Sequence, residues 1–268
     1  MSPAALVDSH CHLDFADFGP EREAILDRGR AEGIAWFVTI GSGRGTESAP
    51  DAVALAHAHA DVVATVGVHP HDAAAATPEA MELMERLGRD PRVVAVGEVG
   101  LDYHYDHAPR DVQREAFRAF VRLARALRQP LVIHTRAAPE DTLAILDEEG
   151  AREVGGVIHC FTEDAAFAKR AMDMDFDISF SGIVTFKKSE DLRAAARTVP
   201  LDRLLIETDA PYLAPMPFRG KRNEPSYIAR TAEHLAATLG VRAEDLRART
   251  TENAVRRFGL HRFGRSLP

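Results

Sequence analysis

Near the start of the chain, Val7–Asp14 reads VDSHCHLD. In an extended segment residues i and i+2 point to the same side, so His10 and His12 share a face and Cys11 points away from it. Two imidazoles aimed one way suit a divalent transition metal, with carboxylates completing the charge. Taken alone, a histidine after an apolar run is more often a hydrogen-bonded core residue than a ligand. Later runs change that balance. VVAVG leads into Glu98, LVI into His134, GGVI into His159, and RLLIE into Glu207 and Asp209. His, Glu or Asp thus recurs at the ends of five apolar runs, which favours one metal-binding constellation over separate coincidences.

Something must bring those ends together. Eight short apolar, β-rich runs can be followed: the 4–7 region, 36–40, 62–68, 93–97, 131–133, 155–158, 176–182 and 203–207. Between them lie amphipathic stretches such as EREAILDRGRAEG and DVQREAFRAFVRLARALR. In the second, Phe117, Phe120, Leu123, Ala124 and Leu127 recur at three- and four-residue steps, one apolar helical stripe. Strand–helix alternation argues for a parallel sheet. Eight such units in 268 residues match a (β/α)8 TIM barrel, typically about 250 residues long. An open doubly wound sheet would normally need fewer strands. In a barrel the C-terminal ends of the strands converge on one face, the face that carries active sites. No Pro/Gly/Ser-rich linker or tandem repeat interrupts the chain, so a single domain over residues 1–268 is expected.

Composition narrows the function classes. The net charge of -8 excludes a general basic surface for nucleic acid; a polyanionic partner would need a local patch or bound cations. Two cysteines, Cys11 and Cys160, cannot build a disulfide framework, which points to a reducing compartment. Alternation turns both away from their histidine neighbours, so buried, inert thiols are expected. No basic leader and no apolar stretch of about 18 residues is present. The expectation is a cytoplasmic protein, off the membrane, with no obligate protein partner.

The ordered pieces DSHCHLDF, VGVHPH, VGEVGLDYHYD, PLVIHTR, GGVIHCF, ISFSGIVTFKKSEDLR, RLLIETDAPYLAP, RGKRNEPSY and TTENAVRRFGL resemble the TatD family of metal-dependent deoxyribonucleases, within the wider amidohydrolase-like barrels. The resemblance runs through almost the whole chain. It implies His10, His12, Glu98, His134, His159 and Asp209 as ligands of two divalent metal ions: Glu98 bridging, His10, His12 and Asp209 completing one ion, His134 and His159 the other. Thr162 and Glu163 stand where the family often has Ser-Gly, and Ala210 where it often has Ser. These departures leave the ligands intact and bear on finer substrate contacts.

That resemblance implies cleavage of phosphodiesters in DNA or a short oligonucleotide, exonuclease-like, with Glu98 and Asp209 as the catalytic carboxylates. Two divalent ions against two carboxylates leave about +2 locally, inverting the charge of an acidic chain. His and carboxylate ligands together admit Mg, Mn, Zn or Fe. Asp209 is expected to position or deprotonate the attacking water as well as bind metal. His69, at the end of the third run, is a candidate for phosphate or water, with a structural hydrogen bond as the even alternative. Arg222, in GKRNEP, can grip phosphate with two donors, whereas Lys188 and Arg219 read as solvated loop charges. Tyr103 can stack on a base or pack under its loop. Asp8 is expected to accept an imidazole N–H, and Asp14 to cap a turn. A barrel acting on a lactone, amide or phosphotriester is the alternative; Glu98 stands where many such barrels carry a carboxylated lysine, which counts against it. A non-catalytic binding protein ranks last.

Overall fold

The computed structural model describes residues 4–264. Strands β1 (Leu6–Cys11), β2 (Ile34–Gly41), β3 (Val62–Val66), β4 (Val93–Asp102), β5 (Leu131–Arg136), β6 (Gly156–Ile158), β7 (Phe176–Phe180) and β8 (Leu204–Ile206) fall on the eight apolar runs. Helices α1 (Arg22–Ala31), α2 (Ser48–Ala58), α3 (Pro78–Gly88), α4 (Arg110–Leu127), α5 (Pro139–Glu148), α6 (Ala165–Asp173) and α7 (Glu190–Ala196) separate them, and α8 (Ile228–Leu239) and α9 (Ala243–Arg257) follow β8. The spatial order of the strands is their chain order in one eight-stranded sheet. The pairs β3–β4, β4–β5, β5–β6 and β7–β8 are parallel. Parallel neighbours need crossover connections, which the helices supply. This is the (β/α)8 topology.

Both faces of such strands are covered, which explains why they read as continuous apolar runs rather than alternating ones. Every residue of β2 is buried, as is every residue of β4. β4 extends to Asp102 and β5 to Arg136, well past the ends of their apolar runs. Those extensions carry the polar chemistry. Among the described residues, no helix is long and apolar enough to cross a membrane.

The chain divides into two compact units. One comprises the segment up to Val38, Cys160–Ala168, and the chain from Ile178 onward. Here β1 meets the chain just beyond β8: Cys11 and Ala210 form a parallel bridge, His12 N donates to Ala210 O at 2.8 Å, and Asp209 N to His10 O at 2.9 Å. Helix α9 clamps the same strands. Thr251 Oγ1 donates to Ala5 O, and Asn253 Nδ2 to the carbonyls of Leu201 and Leu204.

Arg28 on α1 makes a two-point pair with Glu224, at 2.8 and 2.6 Å. Its bonds hold the Glu224 carboxyl below the ordinary value, against the effect of burial. A depressed folded pKa contributes stability above the unfolded value, about 4.3, and that contribution is lost as pH falls through the folded value. Arg28→Gln is therefore expected to cost about 1 kcal/mol at neutral pH, the half-exposed arginine being partly screened. Urea melts should show the gap between variant and parent closing as pH drops below about 4. A gap independent of pH would mean that packing, not charge, is responsible.

The second unit comprises Thr39–His159 and Lys169–Asp177. The α4 stripe is as expected: Phe117, Phe120, Leu123 and Ala124 are buried, joined by Val121. Its opposite face carries Arg118, Arg122 and Arg125, paired with Glu148, Glu149 and Glu153. β4 and β5 approach unusually closely where glycines replace side chains. A Cβ on Gly97 would lie 2.5 Å from Val132 O, and one on Gly100 would lie 2.0 Å from His134 O. These two glycines flank Glu98 and Val99, so the sequence VGEVG encodes a close contact around one carboxylate.

Candidate metal-binding clusters

In the first unit, β1 presents His10 and His12, both buried. Asp209 Oδ1 lies 3.6 Å from His10 Nε2 and 3.4 Å from His12 Nε2. One donor atom from each residue falls within 4.8 Å of the other two. Two imidazoles and one carboxylate in that spacing are a suitable donor set for a divalent cation. The ring of His12 stacks on Phe15 with centroids 4.6 Å apart, which fixes its plane.

Asp209 is presented by an unusual backbone, with φ +57°, a left-handed conformation that costs a non-glycine residue about 1 kcal/mol or more. Neighbouring bonds hold it there. Asp8 accepts from Thr208 N at 2.9 Å and from Thr208 Oγ1 at 2.6 Å. Asn223 Nδ2 donates to the carbonyls of Thr208 and Tyr212 on either side. Asp8 therefore supports the segment that presents Asp209, and it also accepts from the backbone amide of His10, at 3.4 Å. Burial pushes its carboxyl up to about 7, despite the bonds from Thr208.

Glu207, read from sequence only as an acid at a strand end, accepts from Cys160 N at 2.7 Å and from Ser179 Oγ at 2.6 Å. It holds Cys160 at φ +43°. Cys11 is buried, its thiol donating to Val38 O. Cys160 is only half-buried, with its sulfur 3.3 Å from Ser181 Oγ, which departs from the expectation of two buried thiols.

In the second unit, Glu98 Oε1 is the focus of three imidazoles. His159 Nε2 lies 2.7 Å away, His134 Nδ1 3.0 Å and His69 Nε2 3.4 Å. Sequence reasoning placed His134 and His159 with Glu98; the structure adds His69, which forms a three-donor group with Glu98 and His134. From sequence His69 is a candidate for phosphate or water, with a structural hydrogen bond as the even alternative. Burial lowers its pKa below the ordinary value, against the pull of Glu98. Its Nδ1 accepts from His71 N.

Asp102 was missed. It is buried and ends β4, and its Oδ2 lies 3.1 Å from His134 Nε2 and 2.9 Å from His71 Nε2. Its Oδ1 accepts from the amides of His104 and Tyr105. Burial opposes charge on Asp102, but the bonds from His134, the Tyr105 amide and His71 hold its carboxyl far below the ordinary range. Burial likewise disfavours charge on His134, yet Asp102 and Glu98 raise its pKa overall. A carboxylate behind a ligand imidazole fixes ring orientation and raises basicity. The sequence signal was the GLDYH piece, where Asp102 follows Glu98 by an even step along one strand.

The remaining candidates lie at the periphery. Tyr103 Oη donates to Asp141 at 2.6 Å, and the guanidinium of Arg110 sits 4.4 Å from its ring. In the first unit Arg222 donates to Asp17 O and to Glu21 Oε2, each within 2.6 Å. Asp14 is buried in the turn after β1, and Arg22 donates to its carbonyl.

The family model for TatD-related DNases matches residues 7–259. The chain is 42% identical to the metal-dependent hydrolase YabD of Bacillus subtilis (strain 168), covering 96% of this chain and 100% of that one. It is 44% identical to the metal-dependent hydrolase YcfH of Escherichia coli K12, covering 95% and 96%. A relative from Klebsiella pneumoniae (strain 342), 31% identical over 95% of this chain and 98% of its own, is named a 3′-5′ ssDNA/RNA exonuclease. Among solved structures, the TatD homologue YjjV of E. coli K12 superposes with a TM-score of 0.89 at 26% identity, covering 95% and 98%.

Proposed function

The chain belongs to the family of TatD-related DNases, metal-dependent hydrolases, and we propose that it acts as one hydrolase domain cleaving phosphodiester bonds in DNA or a short oligonucleotide. The observation that carries this reading is the convergence of His159, His134 and His69 on one oxygen of Glu98, within 2.7–3.4 Å. Three imidazoles gathered about one carboxylate oxygen suit a cation better than they suit a packed core. The relative named a ssDNA/RNA exonuclease supports nucleic acid as the substrate.

His10, His12 and Asp209 would hold one divalent cation, and Glu98, His134 and His159, with His69 beside them, a second. Such cations supply Lewis acidity toward a phosphoryl oxygen and neutralise charge developing on the phosphate. The chain's own residues do the rest. Asp209 Oδ1 takes the proton of the attacking water, and its fixed left-handed backbone aims the carboxylate. Asp102 holds the His134 ring, and burial of Glu98 and the histidines keeps bulk water from competing.

End-labelled single- and double-stranded oligonucleotides offered with Mg, Mn, Zn or Fe should give chelator-sensitive product ladders whose direction reports polarity. Absence of cleavage under all four metals would end the nuclease reading. Asp209→Asn is expected to lower the rate about 10²- to 10⁴-fold, the usual worth of general base catalysis, with metal content by emission spectroscopy unchanged. Equal loss of metal and rate would remove the proton-transfer role.

A further inference from the structure

Arg136 ends β5 two residues after His134. The intervening Thr135 is buried and its hydroxyl lies 3.0 Å from that of Thr142 on α5. Alternation along the strand therefore sends His134 and Arg136 to the same side, with Cα atoms about 6–7 Å apart. Arg136 is exposed. Among the described residues, no carboxylate pairs with it, although most arginines of this chain do have such a partner.

The register makes this notable. Asp102 stands directly opposite Arg136 in the β4–β5 pair, the place from which a carboxylate would ordinarily neutralise it. Asp102 is already committed to His134, His71 and the amides of His104 and Tyr105. Its backbone is equally fixed: Asp102 N donates to Gln113 Oε1, and Gln113 Nε2 donates back to Asp102 O. What Arg136 has instead is an aromatic support. Its guanidinium lies 4.7 Å from the ring centroid of Tyr105, and that ring is 50% exposed. The His107 ring runs parallel to it, 3° off at 5.6 Å. A guanidinium laid on a ring keeps its planar fork of donors and loses mobility.

We propose that Arg136, preset by Tyr105, is a phosphate-binding subsite beside the Glu98 cluster, taking a phosphate of the nucleic-acid strand neighbouring the one that is cut. This rests on the nuclease reading and sharpens it. The subsite adds positive charge beside the Glu98 cluster, and it requires a substrate with more than one phosphate. Arg136 holds the strand, and Tyr105 positions Arg136.

The test is equilibrium binding and steady-state cleavage of a labelled single-stranded oligonucleotide by the metal-loaded protein at several salt concentrations. Arg136→Gln should weaken binding and raise KM roughly ten- to a hundredfold, the worth of a charge-assisted two-donor contact, with kcat within about threefold of the parent's. Its log–log salt slope should fall by about 0.7, one single-strand phosphate contact. Arg136→Lys should restore the slope but not the full affinity. Tyr105→Ala, which keeps the charge, should raise KM by less than Arg136→Gln does. The exposed Arg86→Gln on α3 should change nothing. Melting temperature and metal content serve to confirm that the variants are folded and loaded. If the parent cuts the oligonucleotide and Arg136→Gln matches it in KM and salt slope, the subsite is wrong and the nuclease reading stands. If the parent neither binds nor cuts it, both fall.

Discussion

Glu98→Gln is expected to lower oligonucleotide cleavage by roughly 10³-fold or more, combining weakened metal binding with lost transition-state stabilisation. The substitution keeps size and shape, so what it tests is charge and acceptor capacity. Glu98 Oε1 faces ring nitrogens of three histidines within 2.7–3.4 Å. A glutamine must either turn its amide nitrogen toward that group or keep a neutral oxygen there, and neither offers the anion that balances a cation. Metal content should fall together with the rate. The melting temperature of the metal-free protein separates this from misfolding, because removing a nearly buried carboxylate need not destabilise the apo fold. A variant that keeps both its metal and a rate within threefold of the parent's would dissociate this cluster from the chemistry.

Gly100→Ala is expected to cost about 3–5 kcal/mol, the sum of a clash in a packed interior and a forbidden backbone conformation. Gly100 has φ +143°, and its added Cβ would meet His134 O at 2.0 Å, His134 C at 3.0 Å and His134 N at 3.2 Å. All three are backbone atoms of the neighbouring strand, so no side-chain rotation relieves the contact. β4 and β5 must separate where His134 is set. Melting should drop by roughly 6–15 °C for a chain of this size, and metal affinity should fall as well, since His134 moves with its strand. Gly240→Ala is the matched control: Gly240 is also at positive φ, +69°, but nothing lies within 4 Å of its Cβ position, so only the backbone cost of about 1 kcal/mol applies. Equal melting of the two variants would refute the close-approach argument.

The eight-strand alternation was readable because strands covered on both faces are apolar throughout, as in β2 and β4. His10, His12, Glu98, His134 and Asp209 were readable because polar residues at strand ends have no packing reason to recur. What lay hidden depended on register and on polar strand extensions. Asp102 lies in the part of β4 beyond its apolar run, where hydrophobicity gives no strand signal, and its partners come from β5 and the His71 turn. Arg136 becomes distinctive only once Asp102 is seen opposite it and already committed. Asp8 was placed in support from its position, but its actual partner, Thr208, is 200 residues away, a pairing no local pattern encodes. From sequence His69 reads alike as a phosphate or water contact or as a structural hydrogen bond; its distance to Glu98 is visible only in the structure.

That 200-residue separation has a consequence for how the protein is made. The carboxylate that completes the His10–His12 cluster leaves the ribosome about 10–40 s after the histidines, at ordinary elongation rates of roughly 5–20 residues per second. Until then the nascent chain displays the His-x-His pair without Asp209. Contacts of such high order form only after the intervening chain has collapsed. If the cluster holds a cation as proposed, its selection is thereby deferred to a nearly finished, folding polypeptide.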